Sequence, residues 1–270
     1  MKYILTDSVK HLNIPSVKIK KTFFPEGELN LIIEENLKNK PVTIISNVTT
    51  DNILEFLFTI DAAKRMGAKI KEIIIPFMSY ARQDQLYVKG GSISGAVICS
   101  ILKSLDIPII TLDIHSLRLK RYLKFKNISL LTMFLEDIPL KKYVIVSPDL
   151  GGAQRARKIA RILRAPLVII KKTRKDHIEM KLDKKLPRKN VLIVEDMIST
   201  GTTLVKTAKL LKQKGAKEIY CISTHGLFVK GARQKLLKSG IKKIFVTNTL
   251  LVKPSRQIGV KKIEEILELL

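Results

Sequence analysis

Apolar runs rich in Ile and Val recur along the chain, separated by segments of helical length: VTIIS at 42–46, KEIIIPF at 71–77, IPIITLDI at 107–114, YVIVSPD at 143–149, APLVII at 165–170, VLIVED at 191–196, EIYCIST at 218–224 and KIFVTNT at 243–249. Near-continuous apolar strands, rather than alternating ones, are buried on both faces. Spaced by helices, they predict an α/β fold with mainly parallel sheets covered by helices on both faces. The order of words then repeats. From Ile44 the chain reads IISNVTTDNILEFLFTIDAAKRMGAK, and from Ile193 it reads IVEDMISTGTTLVKTAKLLKQKGAK, each a strand, a turn and a helix closed by Gly-Ala-Lys. Each is followed by another apolar strand and by a helix ending in related words, ILKSLDI at 101–107 and KLLKSGI at 235–241. We read two copies of one domain, residues 1–139 and 140–270, with the boundary near the EDIPLKK turn.

The copies differ in chemistry. Where the second has Glu195 and Asp196 followed by MISTGTT, the first has Ser46 and Asn47 followed by VTTDN. Ser199, Thr200, Gly201, Thr202 and Thr203 open a helix, where backbone N–H groups, small hydroxyls and a residue without Cβ can cradle an anion. The two acids would repel a phosphate, so their partners are sugar hydroxyls or a metal carried by the ligand. This stretch resembles the phosphoribosyl-pyrophosphate (PRPP) binding motif of phosphoribosyltransferase-fold proteins, which implies two duplicated phosphoribosyltransferase-like domains. Only the C-terminal copy carries the loop, so the N-terminal copy must serve another purpose.

Composition narrows the setting. Fifty Lys and Arg against 24 Asp and Glu give a formal charge of +26, which concentrates polyanions near the surface without choosing among them. The basic runs lack interleaved aromatics and no recognition module is visible, so no specific nucleic acid is expected. No apolar run approaches the roughly 20 residues that cross a bilayer, and MKYILTDSVKHL does not read as a signal peptide. The expectation is a cytoplasmic protein with no membrane association. Cys99 and Cys221 stand in apolar or helical patterns without metal-ligand spacing, which excludes a disulfide framework and favours core packing.

Three further clusters precede the PRPP-like loop: FFPEGELN at 23–30, PFMSYARQDQ at 76–85 and TLDIHS at 111–116. Taken in order with SPDLGGAQRAR, KKTR, THGLF and VTNT, they resemble the ribose-phosphate pyrophosphokinase family over about 23–249. The resemblance implies transfer of a pyrophosphoryl group from ATP to ribose 5-phosphate with Mg2+ as cofactor. It implies an ATP site at Phe24, Glu26, Gly27, Glu28, Arg82 and Gln83, in which Phe24 can stack on adenine. His115 and Asp149 match the family's magnesium positions, one in each half. Lys172 and Arg174 match the catalytic pair, with Lys171 as the neighbour most easily confused with Lys172, on a polar segment suited to a flap. Arg174, Glu195, Asp196 and residues Ser199, Thr200, Gly201, Thr202 and Thr203 would bind ribose 5-phosphate.

The chain also departs from the family. Glu195 replaces a commoner Asp, Ser199 stands where many members have Asp, and Val229-Lys230-Gly231 and Tyr87 replace residues tied to nucleotide inhibition in longer relatives. The family works as dimers or multiples of dimers, so a homo-oligomer is expected. Two alternatives remain from the sequence: a phosphoribosyltransferase, which needs only the second half, and a non-catalytic PRPP-binding regulatory subunit.

Overall fold

The computed structural model describes all residues except 140–141, 175–177, 182–185 and 187–188, and at 172–174 and 178–181 it describes the backbone alone. Two compact units result: Met1–Ser129 with Glu264–Leu270, and Leu130–Ile263. The break therefore falls after Ser129 rather than after Pro139. The reason is burial, since Leu131 and Phe134 are 1% and 0% exposed in one cluster with Tyr143, Ile145 and Leu192 of the second unit. The C-terminal segment joins the first unit, where Leu267 is buried and the Asn13 N–H donates to Glu264 Oε1 at 3.2 Å.

The first unit runs β1 (Lys2–Leu5), β2 (Ile19–Phe23), β3 (Leu29–Ile33), β4 (Pro41–Ile45), α1 (Ile53–Arg65), β5 (Lys69–Ile75), α2 (Ser94–Ser104), β6 (Ile109–Leu112) and β7 (Lys126–Ile128). Its five-stranded sheet has the order β1-β4-β5-β6-β7 and is parallel throughout. Ile44, Ile45, Ile73, Ile74 and Ile75 are all fully buried, as continuous apolar strands predict when both faces are covered. β2 and β3 form a separate antiparallel hairpin.

The second unit runs β8 (Val144–Ser147), α3 (Ala153–Ile162), β9 (Leu167–Ile169), β10 (Lys171–Arg174), β11 (Ile178–Lys181), β12 (Val191–Ile198), α4 (Thr202–Gln213), β13 (Ile219–Gly226), α5 (Ala232–Leu237), β14 (Lys243–Thr247) and β15 (Ile258–Lys261). A short helix, α6 (Glu264–Glu268), follows in the first unit. The second sheet, β15-β14-β13-β12-β8-β9, is also wholly parallel. The repeat is visible in topology: β8-β12-β13-β14-β15 follows the same connectivity as β1-β4-β5-β6-β7. Beyond β8 lies β9, whereas the first unit has at that place only a bridge between Tyr3 and Ser16. Each unit inserts one antiparallel hairpin before its central strand, β2–β3 in the first and β10–β11 in the second.

Helix ends repeat as well. The buried face of α1 is Phe56, Thr59, Ile60 and Ala63, and that of α4 is Leu204, Thr207, Ala208 and Leu211, both at helical spacing. Gly67 and Gly215 then adopt φ of +75° and +91°. Ala68 N–H returns to Ala63 O and Ala216 N–H to Leu211 O, each at 3.0 Å, so both helices close in the same left-handed glycine cap. Among the described residues no helix is long and apolar enough to cross a membrane.

Candidate active site

In parallel sheets the carboxyl ends of the strands share one edge, and that edge carries the ligand-binding loops. In the second unit it carries the acids. β12 extends to Ile198, two residues past the expected end, because its register with β13 continues through Met197↔His225 and Ile198↔Gly226. Glu195 is half-buried and Asp196 is buried. The turn that follows is pinned by Val229 N–H to Ser199 O at 3.1 Å and by the N–H groups of Leu227 and Phe228 to Ile198 O. Gly201 then takes φ +73° just before α4. A Cβ there would sit 3.2 Å from Leu236 Cγ, so both conformation and space call for glycine. Thr202 and Thr203 form the first helical positions, whose N–H groups have no acceptor within the helix and face outward as anion donors. Thr200 and Thr202 hydroxyls lie 3.1 Å apart at this mouth.

The adjacent strand, β8, supplies Asp149. Its Oδ1 accepts the Gly152 N–H at 3.0 Å, and Ser147 Oγ donates to Asp149 O at 2.7 Å, so the loop folds onto the start of α3. Gly152 is required by this closeness, since a Cβ would lie 2.8 Å from Ser147 Oγ. One residue pair past the loop, Arg155 in the first turn of α3 reaches across and donates through Nη2 to Asp196 Oδ1 at 2.9 Å. Arg155 was not singled out in the sequence. Its clue lay in the QRARK run, where it resembles every other basic residue of a strongly basic chain. Lys172 and Arg174 lie in β10, in register with Met180 and Ile178 of β11, so the segment expected as a flap begins as an antiparallel hairpin. Their side chains lie outside the described residues.

In the first unit Phe24, Glu26, Gly27 and Glu28 form the loop joining β2 to β3, all exposed. Phe24 N–H bonds to Glu28 O at 2.9 Å and Gly27 N–H to Phe24 O at 2.8 Å, with Gly27 at φ +91°. The aromatic ring is 52% exposed, free of core packing. Lys21 of β2 holds the hairpin down through Glu55 of α1 at 2.7 Å and through Asp7.

Arg82 and Gln83 follow β5 in an exposed loop, locked by Gln83 N–H to Tyr80 O at 2.8 Å and by Gly95 N–H to Gln83 O at 3.0 Å. A Cβ on Gly95 would lie 2.9 Å from Gln83 O, which seats α2 hard against the loop. The neighbour Asp84 is buried and accepts from Ser116 Oγ at 2.5 Å and from Tyr87 OH at 3.0 Å, with Arg118 at 3.6 Å. Burial pushes its carboxyl up, but the hydrogen bonds from Ser116 and Tyr87 and the Arg118 charge outweigh it and hold it below the usual range. Asp84 thus ties the Arg82–Gln83 loop to the residue after His115. The Tyr87 hydroxyl also lies 3.1 Å from Arg82 O, sharing its proton between the two acceptors.

His115 is half-buried in the loop after β6, which Asn127 Oδ1 fixes by accepting from Ile114 N–H at 2.9 Å and Thr111 Oγ1 at 3.0 Å. His115 and Asp149 belong to different units. Among the described residues no group of three or more His, Cys, Asp or Glu could hold a metal. The donor chemistry still suits magnesium, which keeps most of its waters and takes one or two carboxylates plus ligand phosphates rather than a protein cage. Both cysteines are buried, and burial pushes the Cys99 thiol up to about 11 while burial followed by Glu195 raises Cys221 well above its ordinary value, which disfavours the reactive thiolate.

The first copy's counterpart of the acidic strand end is closed. Asn47 is 1% exposed; it donates to Ser8 through its backbone and side-chain nitrogens and accepts the Phe77 N–H through Oδ1 at 2.8 Å. A structural hydrogen-bond network fills the place that the acids hold in the second unit.

Residues 3–105 match the N-terminal domain of ribose phosphate pyrophosphokinase, and residues 119–254 match the phosphoribosyl transferase domain. A ribose-phosphate pyrophosphokinase from Ralstonia nicotianae is 35% identical over 255 residues, covering 90% of this chain and 81% of that protein. One from Thermoplasma acidophilum is 37% identical over 236 residues, covering 84% and 82%. The crystal structure of phosphoribosylpyrophosphate synthetase from Mycobacterium smegmatis superposes with a TM-score of 0.86 at 27% identity, covering 99% of this chain and 96% of that one. With the acids and the glycine turn in one unit, the Phe24 hairpin and the Arg82 loop in the other, and near full-length similarity, the chain belongs to the ribose-phosphate pyrophosphokinase family.

Proposed function

We propose that the protein transfers the pyrophosphoryl group of MgATP to the anomeric hydroxyl of ribose 5-phosphate, giving 5-phosphoribosyl 1-pyrophosphate and AMP and so feeding nucleotide biosynthesis. The observation that carries this reading is the sequence of groups at one strand end: two acids, a left-handed glycine and a helix N-terminus, within Glu195–Thr203. The helix start takes the 5-phosphate through Ser199, Thr200, Gly201, Thr202 and Thr203. Glu195 and Asp196 take the ribose hydroxyls. The anomeric hydroxyl oxygen then attacks the β-phosphorus and gives up its proton to solvent, the bond from that phosphorus to the α-phosphate oxygen breaks, and AMP leaves with that oxygen. Charge builds on the transferred group and on AMP, so the reaction asks for alignment and positive charge, not a covalent nucleophile.

Lys172 and Arg174 supply that charge, and Arg174 also contacts the sugar phosphate. Phe24 stacks on adenine, Glu26, Gly27 and Glu28 line the base and ribose, and Arg82 and Gln83 meet the nucleotide. Asp149 and His115 would hold magnesium, His115 through water. When bound, magnesium neutralises and aligns the triphosphate. The protein acts as a homo-oligomer built on dimers. Incubation with ATP, ribose 5-phosphate and magnesium tests the reading: AMP and 5-phosphoribosyl 1-pyrophosphate should appear in equal amounts, and ADP in place of AMP would refute it.

A further inference from the structure

The amino ends of β13, β14 and β15, the sheet edge opposite Glu195 and Asp196, border a cavity of about 800 Å³ within the second unit. That volume lies in the range of small-molecule sites, which are mostly apolar with a few placed polar groups. Its walls include Tyr220, Leu237 and Ile258. Leu237 is 60% exposed, a large apolar side chain left in water at the end of α5.

The charge is one-sided. Among the described residues that border the cavity, four are cations and none is an acid. Three of them have protein partners: Lys242 pairs with Glu218 at 2.5 Å, the Arg233 guanidinium lies 5.2 Å from the Phe228 ring, and Lys243 lies over the Phe245 ring at 5.3 Å. Arg256 is exposed and, among the described residues, makes no ion pair or hydrogen bond through its side chain. It stands on a turn clamped at both ends, with Ser255 N–H to Ile258 O at 2.9 Å and Ile258 N–H to Ser255 O at 3.1 Å.

Gln257 sits beside it in the same turn and lines the cavity, 9% exposed. Its Nε2 donates to Ile241 O at 2.6 Å and to Leu236 O at 3.3 Å. Two carbonyl acceptors fix the amide orientation. Oε1 is left as a buried acceptor without a hydrogen bond.

We propose that this cavity is a second small-molecule site, for an organic anion with a flat apolar body and one acidic group. The rings pack on Tyr220, Leu237 and Ile258, and the acidic group meets Arg256 and Lys243. It lies away from the strand end that carries the acids, so it is independent of the proposed reaction.

Anilinonaphthalene sulfonate has both features and reports apolar binding by fluorescence. Titrated into the full-length protein, it should bind saturably with one molecule per chain by equilibrium dialysis. Arg256→Ala should weaken it about tenfold, as loss of a charge-assisted contact does, while leaving phenylnaphthylamine, the same rings and N–H without sulfonate, unchanged. Leu237→Asp should weaken both probes. Both side chains are exposed, and melting curves will confirm that the variants fold. In the unaltered protein the methyl resonances of Leu237 and Ile258 should shift on adding the probe. Non-saturating uptake, affinity for the sulfonate unchanged from the unaltered protein in both variants, or shifts confined to other parts of the chain would overturn the proposal.

Discussion

Arg155 Nη2 donates to Asp196 Oδ1 at 2.9 Å, joining the first turn of α3 to the acid near the end of β12, with the side chains 19% and 2% exposed. A carboxylate this buried depends on its partners, because the interior does not solvate charge. Arg155→Met should therefore cost about 2–3 kcal/mol, the lower side of what breaking a buried pair costs, since Arg155 keeps some solvent. Urea unfolding of both single variants and of Arg155→Met with Asp196→Asn gives the coupling. Additive losses would mean that Arg155 does not hold the acid.

Asp84 gives a pH dependence whose sign is fixed. Its carboxyl is held below the usual range in the fold, so its contribution to stability is present above the unfolded value, about 3.9. It is lost as pH falls below that through the lower folded value. The stability advantage of the natural protein over Asp84→Asn should be larger at pH 7 than near pH 3. Melting temperatures across that window check it, and a constant difference would remove the carboxylate's charge from the account.

Gly201 and Thr203 separate shape from chemistry at the loop. Gly201→Ala forces a side chain into a left-handed conformation and against Leu236, which should cost about 1–2 kcal/mol and raise the KM for ribose 5-phosphate. Thr203→Val removes only a hydroxyl, so it should raise that KM with kcat and the KM for ATP nearly unchanged, the signature of uniform binding. A defect confined to ATP in Thr203→Val would misplace the phosphate.

Lys172 and Arg174 stand two apart in β10. If their charge acts at the transferred group, Lys172→Ala and Arg174→Ala should each lower kcat about a hundredfold with little change in ribose 5-phosphate binding. Lys171→Ala should be mild. A large loss in Lys171→Ala alone would show that the catalytic register begins one residue earlier.

Oligomerisation is measurable directly. Light scattering at working concentration should give at least twice the chain mass of 30.6 kDa. A monodisperse monomer would contradict the dimer-based assembly.

The apolar words determined the architecture. VTIIS, KEIIIPF, VLIVED and EIYCIST are strands buried on both faces, because their continuous Ile and Val leave no polar face for water. The Gly-Ala-Lys repeat fixed both helix ends through a left-handed glycine, a local effect that one residue type can signal. The acids and the hydroxyl loop were legible for the same reason, being consecutive in the chain. What lay beyond sequence depends on contacts between distant residues. The unit boundary moved to Ser129 because Leu131 and Phe134 found their burial among residues of β8 and β12. Arg155 became distinct from the chain's other basic residues, and Asp84 from its other acids, only when folding brought them to Asp196 and Ser116. The same basic or acidic letter is a solvated surface charge or a buried positioning group according to what the tertiary fold sets beside it, and in this chain that was decided by packing at the carboxyl ends of two parallel sheets.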